Sequence, residues 1–158
     1  LPPLNSDLVY HVSMLKTTSP KRWFIRYNEN GIERRETMES KEKFGIQLLR
    51  TVLLPELLGK EESDLLYWGG KVIARQYPAD SLEDILLFFK KADWGELHIV
   101  KKKKREIHFQ MKQQSPPLDY HLEAGYLAEQ IERLEGKAAE TYIHKKAKHI
   151  SFIVQWDT

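Results

Sequence analysis

Hydrophobic and polar positions change period along this chain, from a helical repeat to strict alternation and back. From Lys41 the apolar residues Phe44, Leu48, Leu49, Val52 and Leu53 recur at helical spacing. Pro55 disfavours helical angles at the residue before it, so the first helix is predicted to end near Leu54. Leu57, Leu58 and Gly59 then form an apolar turn. A second helix is predicted from a Ser63 cap to about Gln76, ahead of Pro78. Its expected buried stripe is Leu65, Trp68, Gly69 and Val72. The Gly69-Gly70 pair weakens a helix by roughly 1 kcal/mol per glycine. Such a pair makes sense where another backbone must come close. Ser81 opens a third helix, with Asp84 at the N3 position of an approximate capping box. Ile85, Leu86, Phe88 and Phe89 form its apolar face, and Trp94-Gly95 closes it with a bend.

The period then becomes two. Leu97 and Ile99 alternate with His98 and Val100, and Ile107, Phe109 and Met111 with His108 and Gln110. These are two strands joined through the Lys101–Arg105 run. An antiparallel pair that keeps the odd-numbered apolar residues on one face must pair odd with odd. Placing Ile99 opposite Ile107 leaves a loop at Lys102–Lys104 and sets His98 opposite His108. Two prolines exclude a central strand over residues 113–119. A fourth helix from about Tyr120 is expected to bury Leu122, Leu127, Ile131 and Leu134 and to stop at Gly136. Ala139, Thr141 and Ile143 are expected to face inward on the third strand, and Ile150, Phe152, Val154 and Trp156 on the fourth.

The first 37 residues carry a weaker pattern. Asn28-Glu29-Asn30-Gly31 is a turn signal between RWFIRY and IERRE, which suggests a hairpin. Residues 1–37 are read as an N-terminal extension to a single α+β domain over 38–158, and Met38 is a candidate natural start.

Composition narrows the chemistry more than the fold. The 158 residues are 41% hydrophobic and 11% aromatic, enough for one domain with a real core. Cysteine is absent, which excludes disulfides, thiolate metal sites and thiol nucleophiles. That absence and the lack of a long apolar run fit a soluble cytoplasmic protein. Net charge is +2, close to balance, so nucleic acid is not expected as a partner. The Lys101–Arg105 run reads as a solvated hairpin tip that discourages edge pairing.

No residues present themselves as catalytic, and no cofactor is identified. No serine lies in a nucleophile elbow, and YWGGK lies in a helix rather than in a phosphate loop. His98 and His108 fall short of the three or four ligands that zinc takes, and His144 and His149 read as exposed strand ends. His121 is expected to help cap the fourth helix. Glu129 and Arg133 are placed at i and i+4 for a surface pair. Glu123 reads as a helix-surface residue, with the alternative that it points toward the sheet. Trp68, Gly69, Glu123, Gly125 and Tyr126 are the candidate lining of a ligand pocket. Tyr67, Trp94 and Trp156 belong to the same aromatic set, which core packing explains equally well.

YWGGK (67–71), ADWGEL (92–97), LEAGYLAEQIE (122–132) and VQWD (154–157) resemble YslB-like proteins, a bacterial family of unknown function. That family is in turn similar to vinyl-reductase-type domains and to the TRAPP vesicle-transport subunits. The resemblance implies helices packed on an antiparallel sheet, a homodimer built through the first helices, and in some members an apolar or tetrapyrrole-like ligand. Cysteine-based functions of the wider group do not carry over to a chain without cysteine.

The combined expectation is an α+β fold of order α-α-α-β-β-α-β-β, with helices on one face of a four-stranded antiparallel sheet. Its expected function is cytoplasmic binding or scaffolding by a homodimer that associates through residues 41–76. The alternative is a sensor or carrier of an apolar small molecule held between the helices and the sheet.

Overall fold

A computed structural model of the chain describes residues 23–26, 34–114 and 118–157. The chain divides into two units, Leu1–Gly45 and Ile46–Thr158. In the first, β1 (Trp23–Arg26) pairs antiparallel with β2 (Arg34–Thr37), with Trp23 opposite Thr37. The expected hairpin is therefore present, while its Asn28–Gly31 turn lies outside the described residues.

Helix α1 (Met38–Leu48) runs into a π-helical turn, Leu49–Leu53, and then into α2 (Leu54–Leu58). The helical path does not end at Leu54, as Pro55 had suggested. Leu54 holds helical angles, and Pro55 occupies the first turn of α2, where its missing N–H removes no intrahelical bond. The wide π turn supplies the break on the N-terminal side. A short 3-10 turn, Gly59–Glu61, leads into α3 (Glu62–Gln76).

Helix α4 (Leu82–Lys91) begins as expected. The Ser81 hydroxyl accepts from the Asp84 N–H at 3.1 Å and donates to the Asp84 carboxylate at 2.8 Å. Asp93, at φ 55°, makes the bend that leads to the sheet.

The sheet comprises β3 (His98–Lys102), β4 (Glu106–Lys112), β5 (Ala139–Lys145) and β6 (His149–Trp156), in the order β3-β4-β6-β5 and antiparallel throughout. Helix α5 (His121–Glu135) connects β4 to β5 and ends at Gly136 in the left-handed region, φ 68°. Helices thus pack on one face of a four-stranded antiparallel sheet, as the change of period implied. Ile107, Phe109, Met111, Ile150, Phe152 and Val154 line the inner face and are all buried.

The β3–β4 hairpin departs from its expected register. Ile99 lies opposite Phe109 rather than Ile107, and His98 opposite Gln110 rather than His108. A bulge between Ile99 and Lys101 shifts the pairing, so that Lys102 faces Ile107. The turn falls at Lys104-Arg105, later than expected, with the Lys103 N–H donating to the Glu106 carbonyl at 2.8 Å, and the bulge takes back one residue of that shift. All five β3 residues are exposed, because this edge strand runs beyond the helical cover.

Candidate functional site

Two features of the helical layer are candidates for function: a knot of polar side chains where α5 begins, and an apolar helix face outside it. Both follow from how α5 is held. Every residue from Glu123 to Ile131 is buried, so α5 is covered all round rather than along one stripe. Leu127 and Ile131 are buried as expected, whereas Leu122 and Leu134 are only partly so. A helix buried on all sides must pair its polar residues with neighbours.

The closest neighbour is α3. A Cβ on Gly125 would overlap the Tyr67 carbonyl, and one on Gly70 would overlap the Leu122 carbonyl. The two helices therefore cross at a pair of glycines, each facing the other's backbone. This crossing fixes the rotation of α3. Its buried stripe is Leu66, Gly70 and Ala74, one residue out of phase with the expected Leu65, Trp68, Gly69 and Val72. Leu65 is 45% and Trp68 62% exposed. Small residues four apart permit the close approach, and that decides against the bulkier face.

Around this crossing lie the buried charges. Glu123 is fully buried and accepts two hydrogen bonds from Arg50, at 2.7 and 3.0 Å. Arg50 stands on the π turn and also donates to the Asp119 carbonyl at 3.2 Å. The Asp119 carboxylate accepts from the Ser63 hydroxyl at 2.7 Å and from the His121 backbone N–H at 2.8 Å. The His121 ring lies 2.7 Å from the same carboxylate. Burial pushes the Asp119 carboxyl up, but the hydrogen bonds from the His121 backbone, the Ser63 hydroxyl and the His121 ring outweigh it and hold the group below its ordinary range. The start of α5 is capped by Asp119, and Ser63 serves this contact instead of capping α3. Glu123 is thus neither on the surface nor aimed at the sheet; it binds α5 to the π turn.

Glu129 repeats the arrangement further along. It accepts from Arg75 at 2.7 and 3.2 Å and lies 3.8 Å from the Lys71 ammonium. It does not pair with Arg133, which instead approaches Asp80 at 3.9 Å. The Gln130 side chain accepts from the Ala79 N–H and donates to the Tyr77 carbonyl at 2.7 Å, closing the end of α3.

The five candidate pocket residues are distributed as follows. Trp68 faces outward, Gly69 makes ordinary contact with Leu122, and Gly125 meets the Tyr67 backbone. Glu123 is engaged by Arg50. Tyr126 is fully buried and stacked on Phe88 at 4.4 Å, with Trp94 edge-on at 5.5 Å. Burial pushes the Tyr126 hydroxyl up to about 12. Tyr67 sends its hydroxyl to the Thr141 N–H, and Trp156 is in the core. The structure joins Glu123 and Gly125 to one helix junction, and sets Tyr126 in an aromatic cluster and Trp68 in solvent.

Arg50, Ser63 and Asp119 are the members of the knot that sequence reasoning missed. The available signal was a lone arginine inside LLRTVLL, since a charge in an apolar run needs a partner. His98, His144 and His149 are exposed, and the ring of half-buried His108 lies 2.9 Å from Glu106. Among the described residues no group of three His, Cys, Asp or Glu could hold a metal ion. No described helix is long and apolar enough to cross a membrane.

The apolar face is made by α1, the π turn and α2. Arg50, Leu54 and Leu58 turn toward the rest of the unit, whereas Ile46, Leu49, Val52, Leu53 and Leu57 are 46–69% exposed. The residues that the periodicity marked as core are therefore outside.

Comparison with known proteins shows similarity to proteins without an assigned function. The chain is 37% identical over 125 residues to the uncharacterized protein YslB of Bacillus subtilis (strain 168), an overlap of 72% of this chain and 84% of that protein. The family model described as "Protein of unknown function (DUF2507)" matches residues 43–155, the segment that holds the polar knot, the glycine crossing and the sheet. The chain belongs to the DUF2507 family.

Proposed function

We propose that this protein is a non-enzymatic binding or scaffolding protein of the cytoplasm, working as a homodimer joined through residues 41–76. The observation that carries this reading is the exposed apolar face of α1, the π turn and α2. Together with Leu65 and Trp68, its large side chains leave on the order of 800 Å² uncovered, about what one partner brings to a standard interface. A second copy is the natural occupant, because a two-fold axis places one such strip on another. The carboxylates that would serve an enzyme are committed to structure instead: Glu123 to Arg50, Glu129 to Arg75, and Asp119 to Ser63 and His121. Kinship with vinyl-reductase-type domains and TRAPP subunits, implied by the sequence resemblance, makes pairing through the first helices the expected mode.

Size-exclusion chromatography with light scattering at micromolar concentration tests the proposal. The expected result is twice the chain mass, falling to the chain mass for the Val52→Asp, Leu57→Asp variant with its circular dichroism unchanged. A monomeric wild-type protein overturns it. A monomer whose melting temperature rises with apolar ligands or tetrapyrroles would transfer the reading to a small-molecule carrier, since a ligand stabilises by mass action.

A further inference from the structure

We propose that the solvent face of the four-stranded sheet binds single-stranded nucleic acid. Near-neutral net charge argued against such a partner, but the fold separates the charges. The two hairpins, residues 98–112 and 137–157, carry ten Lys and Arg against three Asp and Glu. The helical segment 54–96 carries five against nine. The cations are therefore gathered on the hairpins, although Lys145 turns to the helix side, onto the Leu118 carbonyl and the Tyr120 ring.

Strand register shows what this face presents. His98, Gln110, Ser151 and His144 form one row across all four strands. Lys101, His108, Ile153 and Tyr142 form the next, and Lys112 and His149 begin a third. Residues opposite each other on an antiparallel sheet share a face, so these side chains stand together on the side away from the helices. The Lys103–Arg105 turn lies at one end of β4 and the Lys146–Lys148 turn at the other, about 20 Å apart along the strand. Two carboxylates share the face. Glu106 is paired with Lys103 and hydrogen-bonded to His108, contacts that hold its carboxyl at about 2, and Glu140 accepts from the Tyr142 hydroxyl at 3.1 Å.

The chemistry of this surface fits an unpaired strand better than a duplex. Tyr142 is 49% exposed on the edge strand β5, opposite Ile153 and beside His144, with cations at both ends of the sheet. Unpaired bases stack on such rings while phosphates reach the lysines. A flat sheet face does not enter a duplex groove as a helix or a two-stranded ribbon does.

Fluorescence anisotropy of the full chain with a labelled uridine-rich 12-mer RNA, the matching DNA strand and a duplex tests the proposal. Single strands are expected to bind more tightly than the duplex, with affinity falling steeply with salt. Tyr142→Ala should weaken binding about tenfold, and Tyr142→Phe should restore it. Lys104→Gln, Lys112→Gln, Lys148→Gln together should weaken binding and flatten the salt slope, whereas Lys90→Gln, Lys91→Gln on α4 should change neither. Circular dichroism melts confirm that each variant is folded. The proposal is overturned if single strands do not bind, if the duplex binds as well, if Tyr142→Ala behaves as wild type, or if only vesicles of anionic lipid are bound.

Discussion

Helix α5 and the α1–α2 segment use their side chains in opposite ways. In α5 the polar residues Glu123, Glu129 and Gln130 are buried. Along α1, the π turn and α2 the apolar residues Leu49, Val52, Leu53 and Leu57 are exposed. Residue polarity alone would have reversed the two. Partners decide: each buried polar group of α5 has a matching group on a neighbouring element, whereas α1–α2 carries more apolar surface than its inward side can hide. The Arg50–Glu123 pair ties the two segments together.

The comparison breaks most completely at the glycine crossing. Gly70→Ala combined with Gly125→Ala should destabilise the protein by on the order of 5 kcal/mol, although alanine favours a helix. Each new methyl meets backbone, which cannot yield without parting α3 from α5. Chemical denaturation followed by circular dichroism measures the loss. A pair of alanines tolerated within about 1 kcal/mol would mean that the helices are not seated on each other this closely.

Next in size is the ion pair. Removing Glu123 as Glu123→Ala leaves Arg50 nearly buried without its counter-charge and should destabilise by about 3 kcal/mol. Replacing both, Arg50→Met with Glu123→Leu, should recover most of that, since a packed apolar pair often equals a buried salt bridge. A double-mutant cycle separates the pair from its members. If the double variant is as unstable as the single one, the Arg50 contact to the Asp119 carbonyl matters more than the charge pairing.

Changes on the exposed face should be nearly silent for folding. Leu53→Asp is expected to alter stability by less than about 0.5 kcal/mol, because Leu53 is half in solvent. The same substitution should abolish the proposed self-association. The contrast with Glu123→Ala sharpens the comparison: a charge removed from α5 destabilises the fold, and one added to α2's approach does not.

Much of the fold was legible because local signals agreed with the global answer. The capping box at Ser81, the alternation of Ile150 to Trp156 and the glycine stop at Gly136 each hold in the structure. What failed was the facing of elements. In α3, Leu65 and Trp68 offered a better apolar stripe than Leu66, Gly70 and Ala74, but close backbone approach favours the smaller side chains. In β3 a turn that falls later than expected, at Lys104-Arg105, together with a one-residue bulge that periodicity does not encode, sets Ile99 opposite Phe109 instead of Ile107. Of the candidate site, Glu123 and Gly125 were named but their partners were not. Arg50, 73 residues away from Glu123, has no local signal beyond an arginine in an apolar run. Long-range ion pairs are visible only once helices are placed.

The smallest expected effect concerns acid. Asp119 has a carboxyl held below its ordinary range in the folded protein, with the net direction set by hydrogen bonds from His121 and Ser63 against burial. Its unfolded counterpart titrates near about 3.9. Between the two values the unfolded chain binds the proton first, so the stability that Asp119 contributes is complete above the unfolded value. That contribution is lost as pH falls through the folded one. Asp119→Asn removes the titration while keeping an oxygen for the His121 N–H. The difference in unfolding free energy between wild type and Asp119→Asn should therefore shrink as pH falls below about 4. Glu106, held near 2 by Lys103 and His108 on the sheet's far face, acts at lower pH and is common to both proteins, so it cancels from the difference. A difference that does not shrink below about pH 4 would show that Asp119 is not tied to α3 and α5 in the folded state, and the polar side of the comparison would lose its anchor at the start of α5.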